Sequence, residues 1–294
     1  MDDLVLYKSQ RLISGFFQDG IDGSCSALGI NEHRLFNMLI YFFQRAATEN
    51  LFIAMDRRVH ITQTELIEKL GVDRTNATRV VGVDDKGEDI TVLDTWFQKL
   101  FKSQITIRNI ILPEIKEEKL VVENGLIKFY KYDIANFGIL SFWGRKNGVE
   151  EKTYSFTLNP FLVSLSHLQT LIEKNGVGYS KLNLTDLKTI QTPGALRLCE
   201  LIAREKEKRG FKLTAIELEQ ILYLKLKRKN FTVARDLNAL CLQVYNHFKT
   251  KISFCIKKTR TKEIESIEFD FVYPDDANYG SFKVGNVRMV KSLI

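Results

Sequence analysis

Two stretches of the chain, VHITQTELIEKLG at 59–71 and FKLTAIELEQIL at 211–222, open a helix in the same way 152 positions apart, and this repetition constrains the fold more than any other feature. Aligned on Thr62 and Thr214, both read apolar-Thr-x-x-Glu-Leu-x-x-x-Leu, with Glu65 matching Glu217, Leu66 matching Leu218 and Leu70 matching Leu222. In a capping box the Thr hydroxyl accepts the amide at the third helical position, and the Glu there reaches back to the Thr amide. Such a cap contributes about 1 kcal/mol and fixes where a short helix begins. A short apolar run, VHI or FKL, precedes each box, so the whole local context recurs. At 294 residues the chain has room for two domains of roughly 150 residues each.

The surrounding pattern repeats as well. In NEHRLFNMLIYFFQRAATEN the residues Leu35, Leu39, Phe42 and Phe43 recur at helical spacing, with Asn31 placed to cap the start. The strand VHI and the capped helix 62–70 follow. In GVDRTNATRVV, Gly71 ends one helix and Asp73 or Thr75 can cap the next. Helix, short strand, helix, tight turn, helix is the order of a winged helix-turn-helix. GVDDKGEDI then reads as an acidic loop, LDTWFQKLFKS as a helix, and QITIRNI as a strand. LIKFYKYDI, GILSFW and KTYSFTL read as one small antiparallel sheet, and NPFLVSLSHLQTLIEKNG as a linking helix ending near 176.

The second half repeats the order. LNLTDLKTI and PGALRLCELIAREKEKR read as helices, the latter with Pro193 near its first turn, and Thr214 opens another. After LKLKRKNFT comes VARDLNALCLQVYNHFK, where Val233, Leu237, Leu240, Val244 and Phe248 share one face while Arg235, Asn238 and Asn246 point the opposite way. KISFCI and ESIEFDFVYP pair around the basic tip KKTRTKE, and the tail after Pro274 carries little pattern. The expected fold class is therefore α+β with two tandem winged-helix domains, spanning 1–176 and 177–274, followed by a peripheral tail at 275–294.

Charge separates the halves. The net charge is +7, yet residues 201–262 alone hold 16 Lys and Arg against 5 Asp and Glu, so the rest of the chain is net acidic. A basic zone concentrated in one folded region is the footprint of a phosphate-backbone binder. The chemistry of common enzymes is not written here. GFFQDG and GVDDKG have the glycine spacing of a phosphate loop, but Ile and Glu follow where Lys is required. Four Cys and four His show neither zinc nor disulfide spacing, so the expectation is no catalytic centre, no metal and no cofactor. No run approaches ~18 apolar residues, which argues against a membrane span and for a cytoplasmic protein.

In these residues the chain resembles the plasmid replication initiators that bind iterons, Rep proteins built from two tandem winged helices. The matching elements are NEHRLFNMLIYF, VHITQTELIEKLGV, LFKSQITI and SFTLNPFLVSL in the first half, then LKTIQTPGALRLCELI and FTVARDLNALCLQVYNHFKTKISF, covering about 31–272. Cys199 stands where the family commonly has Tyr, and the acidic stretch 82–89 interrupts what would be the first domain's reading helix.

The resemblance implies a non-catalytic protein that binds repeated origin sites in double-stranded DNA, opens the adjacent duplex and recruits host helicase or initiator proteins. It also implies a monomer–dimer equilibrium, with the dimer, made through the first domain, repressing its own gene. In a winged helix the reading helix enters the major groove. There Arg235 can donate twice to guanine and Asn238 can pair with adenine, with Thr232 and Asn230 at the helix start. Lys225, Lys227, Arg228 and Lys229 before the helix, and Lys257, Lys258, Arg260 and Lys262 on the wing, are placed for phosphates. Arg74, Asn76 and Arg79 are first-domain candidates for a second groove contact, although a cap and a solvated turn explain them equally. A salt bridge to Asp236 is the other use for Arg235, and a solvated hairpin tip the other reading of the wing lysines. A transcriptional regulator with the same two domains reads the same from these residues.

Overall fold

The computed structural model describes residues 4–19, 28–46, 51–116, 119–124, 126–148, 151–167, 178–226, 230–261, 263–280 and 287–291. The chain is α+β and divides into two units, Met1–Leu184 and Thr185–Ile294.

The first unit begins with β1 (Val5–Ser9), α1 (Gln10–Ser14), β2 (Phe16–Asp19) and α2 (Ile30–Ala46). In α2 the predicted face of Leu35, Leu39, Phe42 and Phe43 is buried, and Phe36, Met38 and Ile40 are buried too, because neighbouring elements cover the helix on more than one side. Asn31 is not its cap. The helix starts earlier, with the Gly29 carbonyl accepting from the His33 amide at 3.0 Å, which puts Asn31 inside the first turn.

After α3 (Leu51–Met55) come β3 (Val59–Thr62) and α4 (Gln63–Leu70), where Thr62 Oγ1 accepts from the Glu65 amide at 3.2 Å. The Thr64 amide donates to Glu151 Oε1 at 2.5 Å. Hydrogen bonds from the Thr64 hydroxyl and amide hold that carboxyl below the usual carboxylate range. Gly71, at φ 64°, turns the chain out of α4 in the left-handed conformation that suits glycine.

Asp73 caps α5 (Arg74–Thr78) by accepting from the Asn76 amide at 2.8 Å, but α5 stops after five residues. The flanks of the predicted acidic loop are strands, β4 (Val80–Val83) and β5 (Asp89–Thr91), paired as a hairpin. A complete capping box of Thr91 and Asp94 then opens α6 (Val92–Lys102). The helix expected after Asp73 is thus present but short, and a longer helix, α6, follows the hairpin.

β6 (Ser103–Pro113) is followed by two short hairpins, β7 (Ile115–Lys116) with β8 (Lys119–Leu120) and β9 (Val122–Glu123) with β10 (Leu126–Ile127). β11 (Phe129–Gly138), β12 (Leu140–Asn147) and β13 (Lys152–Leu158) complete the strands predicted as one sheet. They form two sheets instead, ordered β11-β6-β2 and β12-β13-β3. The split falls at buried Ile139, the one residue between β11 and β12, and β3 captures β13 from Val59 opposite Phe156 to Thr62 opposite Thr153.

α7 (Pro160–Ser166) starts on Asn159, which accepts from the Phe161 amide at 3.0 Å; the rest of the predicted linking helix, 168–176, lies outside the described residues. β14 (Tyr179–Asn183) pairs antiparallel with β1, so the predicted helix at 182–190 first completes a strand of the first unit and then forms only the short α8 (Leu184–Leu187).

In the second unit Thr192 caps α9 (Pro193–Arg204) with Pro193 at its first position. A Cβ on Gly194 would stand 2.8 Å from the Leu222 carbonyl oxygen, so this close approach requires glycine. β15 (Gly210–Thr214) leads through a complete capping box into α10 (Ala215–Ile221), with Glu217 Oε2 accepting from the Thr214 amide at 2.8 Å. Thr214→Ala is therefore expected to lower stability by about 1 kcal/mol, read as a shifted denaturation midpoint at unchanged m-value.

α11 (Asn230–Phe248), β16 (Lys251–Lys258) and β17 (Ile264–Val272) follow, and β18 (Val287–Lys291) lies parallel on β16. The tail predicted as peripheral thus supplies a strand to the sheet β15-β17-β16-β18. In the second unit the order is α9, β15, α10, α11, β16, β17, with β15 paired to β17; in the first unit β3 pairs with the distant β13, and α4 to α6 and β4 to β12 lie between them.

Candidate nucleic-acid interface

α11 is amphipathic as its sequence requires. Val233, Leu237, Leu240 and Val244 are buried, joined by Cys241, and Phe248 is half-buried. Burying each of the large aliphatics contributes roughly 1.5–3 kcal/mol, so the rotation of this helix about its axis is strongly fixed. The opposite face is therefore fixed toward solvent. On it Arg235, Asn238 and Asn246 are exposed, together with Ala239 and Leu242 one turn along from the first two. Ala239 and Leu242 escape a reading that looks only for polar groups, although positions four residues after Arg235 and Asn238 must share their face. Small apolar side chains in that place can meet a thymine methyl.

Arg235 Nη2 lies 3.5 Å from Asp236 Oδ1, yet the arginine side chain is 66% exposed, so the contact leaves most of its fork turned outward. Thr232 is half-buried in the first turn, Asn230 begins the helix with its side chain outside the described residues, and Lys225 is exposed before it. Lys227, Arg228, Lys229 and Lys262 lie outside the described residues.

The hairpin of β16 and β17 has a stitched tip. The Thr259 amide donates to the Glu263 carbonyl at 2.9 Å, the Glu263 amide donates to Thr259 Oγ1 at 3.2 Å, and the hydroxyls of Thr259 and Thr261 meet at 2.8 Å. On this frame Arg260 is exposed and Lys258 half-buried. Lys257 is committed elsewhere, its Nζ 2.5 Å from Glu268 Oε1 on the neighbouring strand, and that hydrogen bond raises its pKa. Other cations of the basic zone also serve the fold. Arg209 binds Asp276 at 2.8 Å and stacks on Tyr273, Lys251 donates to the Tyr279 carbonyl at 2.7 Å, and Lys208 reaches Glu205 at 2.9 Å. The local charge excess thus overstates the number of cations presented to a ligand.

The first unit places its candidates differently. Arg74 and Asn76 lie exposed on the five-residue α5, and Arg79 is exposed at its end. The start of α6 is occupied by a network that sequence reading does not reveal. Buried Asp94 accepts from the Thr91 amide at 2.7 Å, from Tyr154 Oη at 2.9 Å and from Arg145 Nη1 at 2.5 Å. Arg145 Nη2 also donates to Asp84 Oδ2 at 2.9 Å, with Glu88 3.8 Å from its Nε. The Glu88 amide, then Lys86 and Arg145, hold the Asp84 carboxyl below the usual carboxylate range. Burial, then the Asp94 charge, pushes the Tyr154 phenol up, so it stays a donor. The acidic hairpin is thereby pinned beside the N-terminus of α6, where a phosphate would otherwise find favourable dipoles.

Cys199 is buried on α9. Among the described residues no group of three His, Cys, Asp or Glu side chains is placed to hold a metal ion, and no helix is long and apolar enough to cross a membrane.

No known protein family matches the chain by sequence, and no curated protein does. Among solved structures the chain is similar to the crystal structure of RctB domains 2-3, with a TM-score of 0.41 and 10% identity, covering 82% of this chain and 80% of that one.

Proposed function

We propose that the chain is a sequence-specific double-stranded DNA-binding protein of the replication-initiator kind, whose two units are winged helices. The observation that carries this reading is α11: an exposed face bearing Arg235 and Asn238, held in one orientation by a buried aliphatic face, within the basic half of the chain. A helix of this kind fits the major groove with its N-terminal residues at base edges. The tied hairpin tip with Arg260 and Lys258 then follows the phosphates, adding affinity without sequence information. The first unit acts as an accessory, because the carboxylates pinned at the start of α6 disfavour a phosphate there.

On this reading the protein binds direct repeats at an origin, deforms the neighbouring duplex and presents a surface to host helicase or initiator proteins. A dimer made through the first unit represses its own gene. No nucleotide hydrolysis is involved. Bending the site costs about 1 to 6 kcal/mol, which several phosphate contacts can offset.

Footprinting on the DNA upstream of the coding region tests this. Protection of tandem direct repeats is expected, whereas one isolated palindrome would indicate a transcriptional regulator and uniform non-specific protection would overturn the reading. Lys258→Ala is expected to lower the slope of log affinity against log salt by about one unit with base preference unchanged. An unchanged slope would return the hairpin to solvent.

A further inference from the structure

We propose that the first unit holds a binding site for a phosphoryl-type oxyanion in the cavity between α1, β6, β11 and α7. The cavity has a volume of about 180 Å³ and is lined by Ser9, Arg11, Asn109 and Lys131, with apolar walls from Ile110 and Leu165 among others. Both charged residues of the lining are cations, and none is acidic. The Nε of Arg11 is buried and has no hydrogen-bond partner among the described residues. Two cations lining one cavity repel, less so where Lys131 meets solvent, and an anion between them would replace that repulsion with attraction to both.

The backbone is specialised at the same place. Asn109 stands at φ 50° in the middle of β6, flanked by ladder pairs Arg108 with Ile134 and Ile110 with Tyr132. Residues other than glycine adopt this region seldom, and such residues cluster at ligand sites. Arg supplies a fork suited to two oxygens of one anion, and Lys a point charge. The Ser9 hydroxyl and the Asn109 amide bring neutral donors to the same lining. An anion with three or four oxygens uses such a set more fully than a carboxylate with two.

A phosphoryl group can arrive as a free anion or on the DNA backbone, and neither alternative depends on α11. The test is a titration of the full chain with inorganic phosphate at constant ionic strength, following the amide resonances of Asn109 and Ile110. Saturable shifts are expected, with affinity weakened about tenfold or more by Arg11→Met and unchanged by Lys102→Met, at an exposed position on α6. Lys131→Met, at an exposed position on β11, is expected to weaken phosphate binding as well and serves if Arg11→Met does not fold. Each variant is also titrated with duplex DNA. A salt slope reduced by about one unit would assign the phosphoryl group to the DNA backbone, and an unchanged slope to a free anion. The proposal is overturned if neither phosphate nor duplex shifts these resonances in the native chain, or if both variants bind as the native chain does.

Discussion

Asp94→Ala is expected to destabilise the first unit by roughly 3–5 kcal/mol, the range found when one partner of a buried ion pair is removed. Three losses coincide at this position. The cap on α6 disappears, because Asp94 is the return half of the box with Thr91. The buried Tyr154 hydroxyl loses its acceptor at 2.9 Å. Arg145, only 10% exposed, keeps the more exposed Asp84 and Glu88 but loses its innermost carboxylate. Chemical denaturation of the purified variant reads the cost as a lower midpoint. Asp84→Ala, which removes a half-buried partner nearer the surface of the same arginine, is expected to leave the midpoint near that of the native chain. Because the Asp84 carboxyl is held below its ordinary range, whatever it contributes is fully present above that range and is lost as pH falls below it and through the lowered value. A small effect of Asp94→Ala would mean that the acidic hairpin is not anchored through this residue.

Arg235→Ala is expected to relax base preference at one position of the site by about 1–3 kcal/mol while leaving other positions unchanged. The reason is geometric. Arg235 is two-thirds exposed on a helix whose other face is locked in the core, and Asp236 lies 3.5 Å away without covering it. A bidentate contact to guanine distinguishes base pairs, whereas a phosphate contact does not. Competition binding against single-base variants of the footprinted site separates the two. Equal weakening on every sequence would assign Arg235 to the backbone.

The parts of this molecule that were legible in its sequence are the local ones. The cap at Thr62, the complete box at Thr214, the left-handed turn at Gly71 and the two faces of α11 each depend on residues within a few positions of one another, and each forms where its spacing places it. What escaped depends on partners chosen across the chain. QITIRNI and GILSFW look alike as strands, and nothing local says that one joins β2 and the other β3's sheet. β1 finds β14 across most of the first unit, and β18 joins β16 from a tail without pattern of its own.

The same division holds for the candidate site. Arg235 and Asn238 follow from helical period alone, and Leu242 follows from it once Asn238 is fixed. The diversion of Lys257 to Glu268 needs the cross-strand register, in which Glu268 lies opposite Cys255, diagonal to the lysine. The network around Asp94 joins residues from a hairpin, a helix and two strands, so no single segment announces it.

Selection of bound duplexes from a random-sequence pool tests the central claim most directly, using the full chain and an Arg235→Ala, Asn238→Ala double variant. The native chain is predicted to recover one sequence motif, and the double variant to recover a pool degenerate at the positions those two side chains read while still binding DNA in a salt-dependent way. Recovery of the same motif at the same affinity by both proteins would show that the exposed face of α11 does not read DNA.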